Sequence, residues 1–261
     1  MAETAFLLDL GRCIGCQACV AACKTGNELA AGTQYIQLIE QTRGTFPVLE
    51  GGFKNHRCYH CTDAACVSVC PTGALFKEDG LTRLERDVCS GCGYCVESCP
   101  YGVPEMVDGL SSKCDGCSST VKAGGEPWCV TTCPSRALEF GDRADVLAEA
   151  NRRAEALKDR YPNAQVYGET QAGGLGVIIV APDDPEELDL PMVADPPLAA
   201  GVWTGVVQPV SLGLTAATAL VAGVAAVIAR RNHMQELRQI EAGEIVVPGI
   251  TPGADDESKE G

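Results

Sequence analysis

All sixteen cysteines of the chain stand in four quartets, and none is left over. The first is Cys13, Cys16, Cys19 and Cys23; the second is Cys58, Cys61, Cys66 and Cys70; the third is Cys89, Cys92, Cys95 and Cys99; the fourth is Cys114, Cys117, Cys129 and Cys133. Each opens on a C-x2-C pair and closes on a C-x3-C step. Pro71, Pro100 and Pro134 follow three of the closing cysteines, whereas Lys24 follows Cys23. Proline fixes its own φ and drives the residue before it out of the helical region, so these closing cysteines are carried away from the loop that precedes them.

The pattern points to [4Fe–4S] chemistry. A cubane takes four thiolates converging on one small object: a loop of closely spaced cysteines turns three of them inward, and the fourth comes from elsewhere. The run C-x2-C-x2-C-x3-C-P does this, its last cysteine ligating the other cluster of a pair, and the third quartet is that run. Four quartets imply four [4Fe–4S] clusters. Zinc is held by C-x2-C pairs set further apart and has no use for the repeated third cysteine three residues before a fourth. Disulfides belong to exported chains, and C-x2-C pairs repeated four times are poor staples for distant loops.

The formal charge of −15 argues against nucleic acid as a partner. The N-terminal stretch MAETAFLLDLGRC has no positive segment, long apolar run, cleavage site or twin arginine, so it does not read as a secretory signal. Phe6, Leu8 and Leu10 alternate with Leu7 and Asp9 as a short strand does. Residues 33–54 read as strands, with turns at Gly44, Pro47 and Gly51-Gly52. Asp79-Gly80 marks a hairpin. PTGALFK after Cys70 and PSRALEF after Cys133 repeat one another, which makes residues 1–141 two ferredoxin-like units related by a pseudo-twofold, an α+β fold.

Residues 142–182 read as a helix and a strand packed on that domain. The helix, 142–160, puts Val146, Leu147, Ala150, Ala154 and Leu157 on one face, and acidic neighbours rule out a nucleic-acid role for Arg152-Arg153. GGLGVIIV is a buried strand, and 183–201 is an acidic, proline-rich linker. From 202 to 229 there is no charged residue, and about 20 apolar residues cross a bilayer as a helix. Gly201, Gly205, Gly213, Ala217 and Gly223 suit that helix to packing against another membrane helix. Acidic residues precede it and Arg230, Arg231 and Arg238 follow it. The positive-inside rule then puts the C-terminus in the cytoplasm and the cysteine-rich domain outside. Without a signal of its own, such a domain travels folded on a partner that carries one. Residues 230–261 read as a partly disordered cytoplasmic tail.

The quartets, the stretch GCGYCVESCPYGVPEM, Glu126-Pro127 ahead of Cys129, GGLGVIIV, and a final helix introduced by Trp203, Gly205 and Pro209 resemble the iron–sulfur (beta) subunit of respiratory, membrane-bound formate dehydrogenases. That subunit belongs to the wider family of four-cluster subunits serving molybdopterin oxidoreductases. The resemblance implies crosswise ligation: Cys13, Cys16, Cys19 and Cys133 in one set; Cys58, Cys61, Cys66 and Cys99 in a second; Cys89, Cys92, Cys95 and Cys70 in a third; Cys114, Cys117, Cys129 and Cys23 in a fourth. It implies that the first-quartet cluster faces a molybdenum or tungsten bis-pterin alpha subunit and that the fourth-quartet cluster faces the haem of a cytochrome b gamma subunit in the inner membrane. A trimer of such complexes is also implied. Nitrate reductase relatives carry tryptophan for one third-quartet cysteine; here Cys92 is intact, so a three-iron cluster is not expected. The equivalent subunit of a membrane-bound nickel–iron hydrogenase, or of another molybdopterin oxidoreductase, is the competing reading. No nucleophile–base pair or phosphate loop gives the chain catalytic residues of its own. His60, between two ligands, is a candidate for tuning a cluster by hydrogen bonding. Lys24, Arg57, Lys113 and Lys122 lie near the cysteines without an assigned role.

Overall fold

The computed structural model describes residues 3–193 and 208–242 and divides into two compact units, Met1–Gly201 and Val202–Gly261. In chain order the first runs β1 (Thr4–Asp9), α1 (Ala18–Gly26), β2 (Ile36–Thr45), β3 (Val48–Arg57), α2 (Ala65–Ser68), β4 (Leu75–Glu78), β5 (Leu81–Leu84) and α3 (Tyr94–Ser98). It continues with β6 (Glu105–Val107), β7 (Leu110–Ser112), α4 (Ser118–Lys122), α5 (Trp128–Thr131), β8 (Leu138–Asp142), α6 (Arg143–Leu157), β9 (Gln165–Tyr167) and β10 (Val177–Ala181).

One four-stranded sheet carries the unit, in the order β8-β1-β10-β9. Its two central strands, β1 and β10, pair in parallel with Phe6 opposite Val177 and Asp9 opposite Val180; β8 and β9 flank them antiparallel. AFLL and VIIV are continuous apolar runs because both faces of the sheet are covered. Ala5, Leu7, Ile178 and Val180 meet Val146, Ala150 and Ala154 of α6 on one face. Phe6, Leu8, Val177 and Ile179 meet Tyr59, Leu81, Tyr101, Cys19, Cys23 and Cys129 on the other. The strand period of two thus sends alternate residues to the helix and to the cysteine loops.

Asp142 caps α6 by accepting the Ala144 N–H at 2.9 Å, and the predicted apolar face is the buried one. Arg153 is buried with it, 4% exposed. Its guanidinium reaches Glu139, Glu149 at 2.6 Å and Asp9 at 3.7 Å, and donates to the Arg136 carbonyl at 3.0 Å. The acidic neighbours seen in the sequence are its partners. This cluster of charges ties β1, β8 and α6 together just ahead of the first quartet.

Asp79 and Gly80 turn the β4–β5 hairpin with φ of 51° and 82°, the pair of left-handed residues that a two-residue turn requires. Asp108-Gly109 does the same between β6 and β7, with φ of 53° and 77°, a second use of the same dipeptide not read from the sequence. The two repeats after Cys70 and Cys133 supply β4 and β8, and the equivalent residues Gly73 and Arg136 are both left-handed. Gly51-Gly52 does not turn: both lie inside β3, paired with Thr42 and Gln41, and the hairpin reverses at Phe46-Pro47 instead. On a two-stranded ribbon glycine weakens packing but still completes the backbone ladder.

The acidic stretch after β10 begins as packed structure. Leu188 and Leu190 are buried in the core, Asp189 pairs with Lys54 at 2.6 Å, and Tyr167 donates to the Pro191 carbonyl at 2.5 Å. Residues 194–207, which include the rest of the expected linker, Trp203 and Gly205, lie outside the described residues.

The second unit is α7 (Gln208–Glu241), in which Gly213–Ile240 has a mean hydropathy of 1.7 and is long and apolar enough to cross a membrane. The helix runs past Arg230 and Arg231, so the expected tail is helical as far as Glu241; residues 243–261 lie outside the described residues.

Arg153→Met leaves Asp9 buried beside one remaining guanidinium, that of Arg12. It is expected to destabilise the first unit by about 3 kcal/mol, as breaking a buried ion pair does, read as a lower midpoint in thermal unfolding followed by circular dichroism. An unchanged midpoint would show that the cluster of charges holds nothing together.

Candidate metal centres

The residue before the second cysteine of every quartet is left-handed: Gly15 at φ 66°, His60 at 51°, Gly91 at 71° and Gly116 at 74°. This folds each C-x2-C pair into a tight turn. Glycine adopts that conformation freely, and all three glycines are also needed for space, Gly116 because a Cβ there would stand 2.6 Å from the Leu81 side chain. A Cβ on Gly15 would stand 2.3 Å from the Phe53 ring, and one on Gly91 2.3 Å from the Gly109 carbonyl oxygen. His60 takes the glycine position at a cost of about 1 kcal/mol.

The third cysteine of each quartet then starts or enters a short helix: Cys19 in α1, Cys66 in α2, Cys95 in α3 and Cys129 in α5. Cys70, Cys99 and Cys133 lie beyond the ends of α2, α3 and α5, each followed by its proline. Cys23 remains on α1, because Lys24 lets the helix continue. α1 packs against α5 and α2 against α3, which brings first to fourth and second to third.

Cys58, Cys61, Cys66 and Cys99 line one cavity, together with Tyr59, Tyr101 and Lys113. Cys70, Cys89, Cys92 and Cys95 line another, with Ser111. On the opposite side, burial holds the Cys13 thiol above its usual range and nearby Cys133 and Cys16 add to it. Burial pushes Cys19 up to about 11, with Cys129, Cys13 and Cys133 adding to it against the opposing pull of Arg57. Cys23 is pushed up to about 12 by burial, then by Cys114, Cys129 and Cys117. The Asn27 amide donates towards the sulfurs of Cys23 at 3.5 Å and Cys117 at 3.9 Å.

The gatherings form a row. Cys19 lies near Cys129, Cys114 near Cys58, and Cys66 near Cys95. The order is therefore first quartet, fourth, second, third. The fourth quartet lies inside this row and the third quartet at its far end. The crosswise packing is the reason: once α5 is drawn onto α1, the loop of Cys114 and Cys117 is held between them and the second quartet. Exposure follows the same order. Cys16 and Cys92, in the end sets, are exposed, whereas Cys23, Cys114, Cys117 and Cys129 are all buried.

These surroundings fit iron–sulfur clusters. None of the sixteen cysteines is in a disulfide. Among the described residues, no three His, Cys, Asp or Glu side chains converge closely enough for one metal ion, as a zinc site with every sulfur about 2.3 Å from the metal demands. Buried polar groups beside the cysteines lack protein partners. Arg57 Nε and Nη2 and His60 Nε2 are buried and unpaired, although buried donors are almost always satisfied. His60 Nδ1 lies 3.1 Å from the Thr82 backbone nitrogen and 3.2 Å from the Thr82 carbonyl oxygen, so Thr82 fixes that edge of the ring. Burial, then Lys113, Arg57 and further cations, hold the imidazole neutral. Of the four basic residues near the cysteines, Lys24 bonds the carbonyls of Ala30 and Thr33 and Lys122 pairs with Glu78, both at least partly in solvent. Arg57 and Lys113 are buried, 1% and 2% exposed, which the sequence did not reveal.

Comparison with known proteins agrees with this architecture. The 4Fe-4S dicluster domain matches twice, over residues 12–74 and 49–143. The nitrate-inducible formate dehydrogenase iron-sulfur subunit of Escherichia coli (strain K12) is 33% identical over 235 residues, covering 80% of this chain and 80% of its own length. The formate dehydrogenase iron-sulfur subunit of Haemophilus influenzae is 32% identical over 234 residues, covering 80% and 75%. A polypeptide of the anaerobic dimethyl sulfoxide reductase of Escherichia coli (strain K12) is 40% identical over 147 residues, covering 52% of this chain and 72% of its own length. With its quartets, its crosswise helices and these matches, the chain belongs to the family of 4Fe-4S dicluster iron–sulfur subunits that includes those of formate dehydrogenases.

Proposed function

We propose that the chain is the electron-transfer subunit of a membrane-bound respiratory formate dehydrogenase, holding four [4Fe–4S] clusters on the four sets Cys13/Cys16/Cys19/Cys133, Cys114/Cys117/Cys129/Cys23, Cys58/Cys61/Cys66/Cys99 and Cys89/Cys92/Cys95/Cys70. When bound, such clusters exchange single electrons at potentials set by their surroundings. The observation that carries the reading is the row of sets with exposed cysteines at its two ends. The chain's own residues shield the inner sets from water and leave an edge open at Cys16 and at Cys92. A molybdenum or tungsten bis-pterin catalytic subunit would dock at the Cys16 end and a cytochrome b subunit at the Cys92 end. The chain supplies no catalytic residues in this reading.

The formate assignment rests on coverage: the formate dehydrogenase subunits match 80% of the chain and the dimethyl sulfoxide reductase polypeptide 52%. The apolar helix α7 supports membrane anchoring. The higher identity of the dimethyl sulfoxide reductase polypeptide, 40%, favours another molybdopterin oxidoreductase as the second reading. The charges that flank the helix support a cytoplasmic C-terminus and an outer, periplasmic cluster domain.

The complex recovered from detergent-solubilised membranes through a tag on this chain is expected to carry about sixteen iron atoms per chain, four per cluster, with molybdenum or tungsten and a cytochrome b. Nickel in place of the pterin metal would move the assignment to hydrogenase, and zinc without iron would overturn it. Ligation is tested by paired substitutions. Cys13→Ser and Cys133→Ser should abolish or alter the same electron paramagnetic resonance signal, and Cys23→Ser and Cys129→Ser a different one; four unrelated effects would refute crosswise sets. A green fluorescent protein fused after Gly261 should fluoresce and an alkaline phosphatase fused there should be inactive. The reverse result would place the C-terminus outside.

A further inference from the structure

Among the described residues five Arg or Lys side chains are buried: Lys54, Arg57, Arg83, Lys113 and Arg153. Lys54 pairs with Asp189, Arg83 with Glu78, and Arg153 with Asp9, Glu139 and Glu149. Arg57 and Lys113 take part in none of the ion pairs among the described residues. A buried cation without an anion is strongly disfavoured, so these two point to negative charge that no carboxylate supplies.

Their positions identify its source. Arg57 Nη1 donates to the Cys129 sulfur at 3.6 Å, its guanidinium lies 4.4 Å over the Phe6 ring, and its Nε and Nη2 hydrogens are unpartnered. It ends β3 one residue before Cys58, and Cys23 and Cys114 also lie within its field. Lys113 is in the wall of the cavity of Cys58, Cys61, Cys66 and Cys99, and its ammonium is anchored to the carbonyls of Thr82 at 2.6 Å and Cys114 at 2.8 Å. One fully buried cation stands on each of the two inner sets, and half-buried Lys77, whose ammonium donates to the Cys61 carbonyl at 2.7 Å, adds to the second. The groups within hydrogen-bond distance of the end-set sulfurs are neutral, and Arg57 reaches Cys19 of the first set only through its field. Ser111 stands 3.3 Å from the Cys95 sulfur, Thr72 3.8 Å from Cys70, Ser135 3.7 Å from Cys133 and Asn55 4.0 Å from Cys19.

We propose that Arg57 and Lys113 are potential-setting residues: two fixed buried charges that make the two inner clusters easier to reduce and so favour passage of the electron from one half of the domain to the other. A positive charge stabilises the reduced, more negative cluster, and it does so strongly where water is excluded. The inference rests on the ligand sets proposed above.

The test is a redox titration of the purified complex followed by electron paramagnetic resonance, with iron per chain measured first. Were the unsubstituted complex to lack its iron, the ligand reading would fail; with iron full, the titration judges the two cations alone. Arg57→Gln is expected to lower the reduced-to-oxidised ratio of one cluster at least ten-fold at fixed poise, which is 59 mV for a one-electron couple. Lys113→Gln should do the same to a different cluster. Arg57→Lys and Lys113→Arg, which keep the charge, should move neither by more than about three-fold. Should a glutamine variant fail to hold full iron, its charge-keeping counterpart must hold it. Loss in both, equal shifts in both, or no shift in the glutamine variants would overturn the proposal.

Discussion

The structure depends on bringing sixteen sulfurs inward from loops that have little else to bury. A left-handed residue before the second cysteine of each quartet starts the convergence, and a short helix entered at the third cysteine completes it. Neither device is stable alone, since helices of four to nine residues do not persist in water. They are held because α1 and α5, and α2 and α3, pack on one another, and because α1 and α5 also meet the even-numbered side chains of β1. Much of the remaining stability must come from whatever the thiols bind. Apart from Cys70, the cysteine pKa values that are displaced all lie above the usual range, chiefly through burial, and a metal that takes them as thiolates must drive that deprotonation.

That dependence explains where the sequence was legible. Metal ligation imposes spacing, so the quartets, their prolines and the turn at Asp79-Gly80 could be read directly. The same holds for α6, whose apolar residues recur with helical period. Long-range pairing leaves no such local mark. Nothing in AFLLD says that it lies parallel to VIIVA nearly 170 residues later in the chain, and the apolar character of both strands shows only that both are covered. Gly51-Gly52 misled for a related reason: glycine marks a turn when it must adopt a positive φ, and neither glycine does so here.

Charge was the least legible property. Arg152 and Arg153 are adjacent in sequence, yet one is exposed and the other is among the most buried cations of the protein, because α6 turns only the second towards Asp9. Lys24 and Lys113 likewise look alike beside their cysteines. Lys24 ends up bonding a surface loop, whereas Lys113 is sealed in because β7 delivers it directly between two cysteine sets. Burial of a long side chain depends on which elements close over it, and a single sequence does not carry that information. His60 was legible from its place between two cysteines, and aligning the four C-x2-C turns marks it again, as the one non-glycine at a position where the other three quartets have glycine.

The gradient of exposure along the row has an electrostatic consequence. At the ends, Cys16 and Cys92 meet solvent, where water and salt screen a nearby charge, and the groups bonded to the sulfurs there are hydroxyls and an amide, with the field of Arg57 reaching only as far as Cys19. Inside, screening is weak, so a charge a few ångströms from a sulfur acts at close to full strength. A cation placed at an end set would be costly in side-chain order and small in effect, whereas one placed at an inner set is effective and, lacking water, must be matched by negative charge from the site itself. Arg57 and Lys113 lie where that reasoning puts them, and the same crosswise packing that buries the fourth quartet is what keeps their charges unscreened.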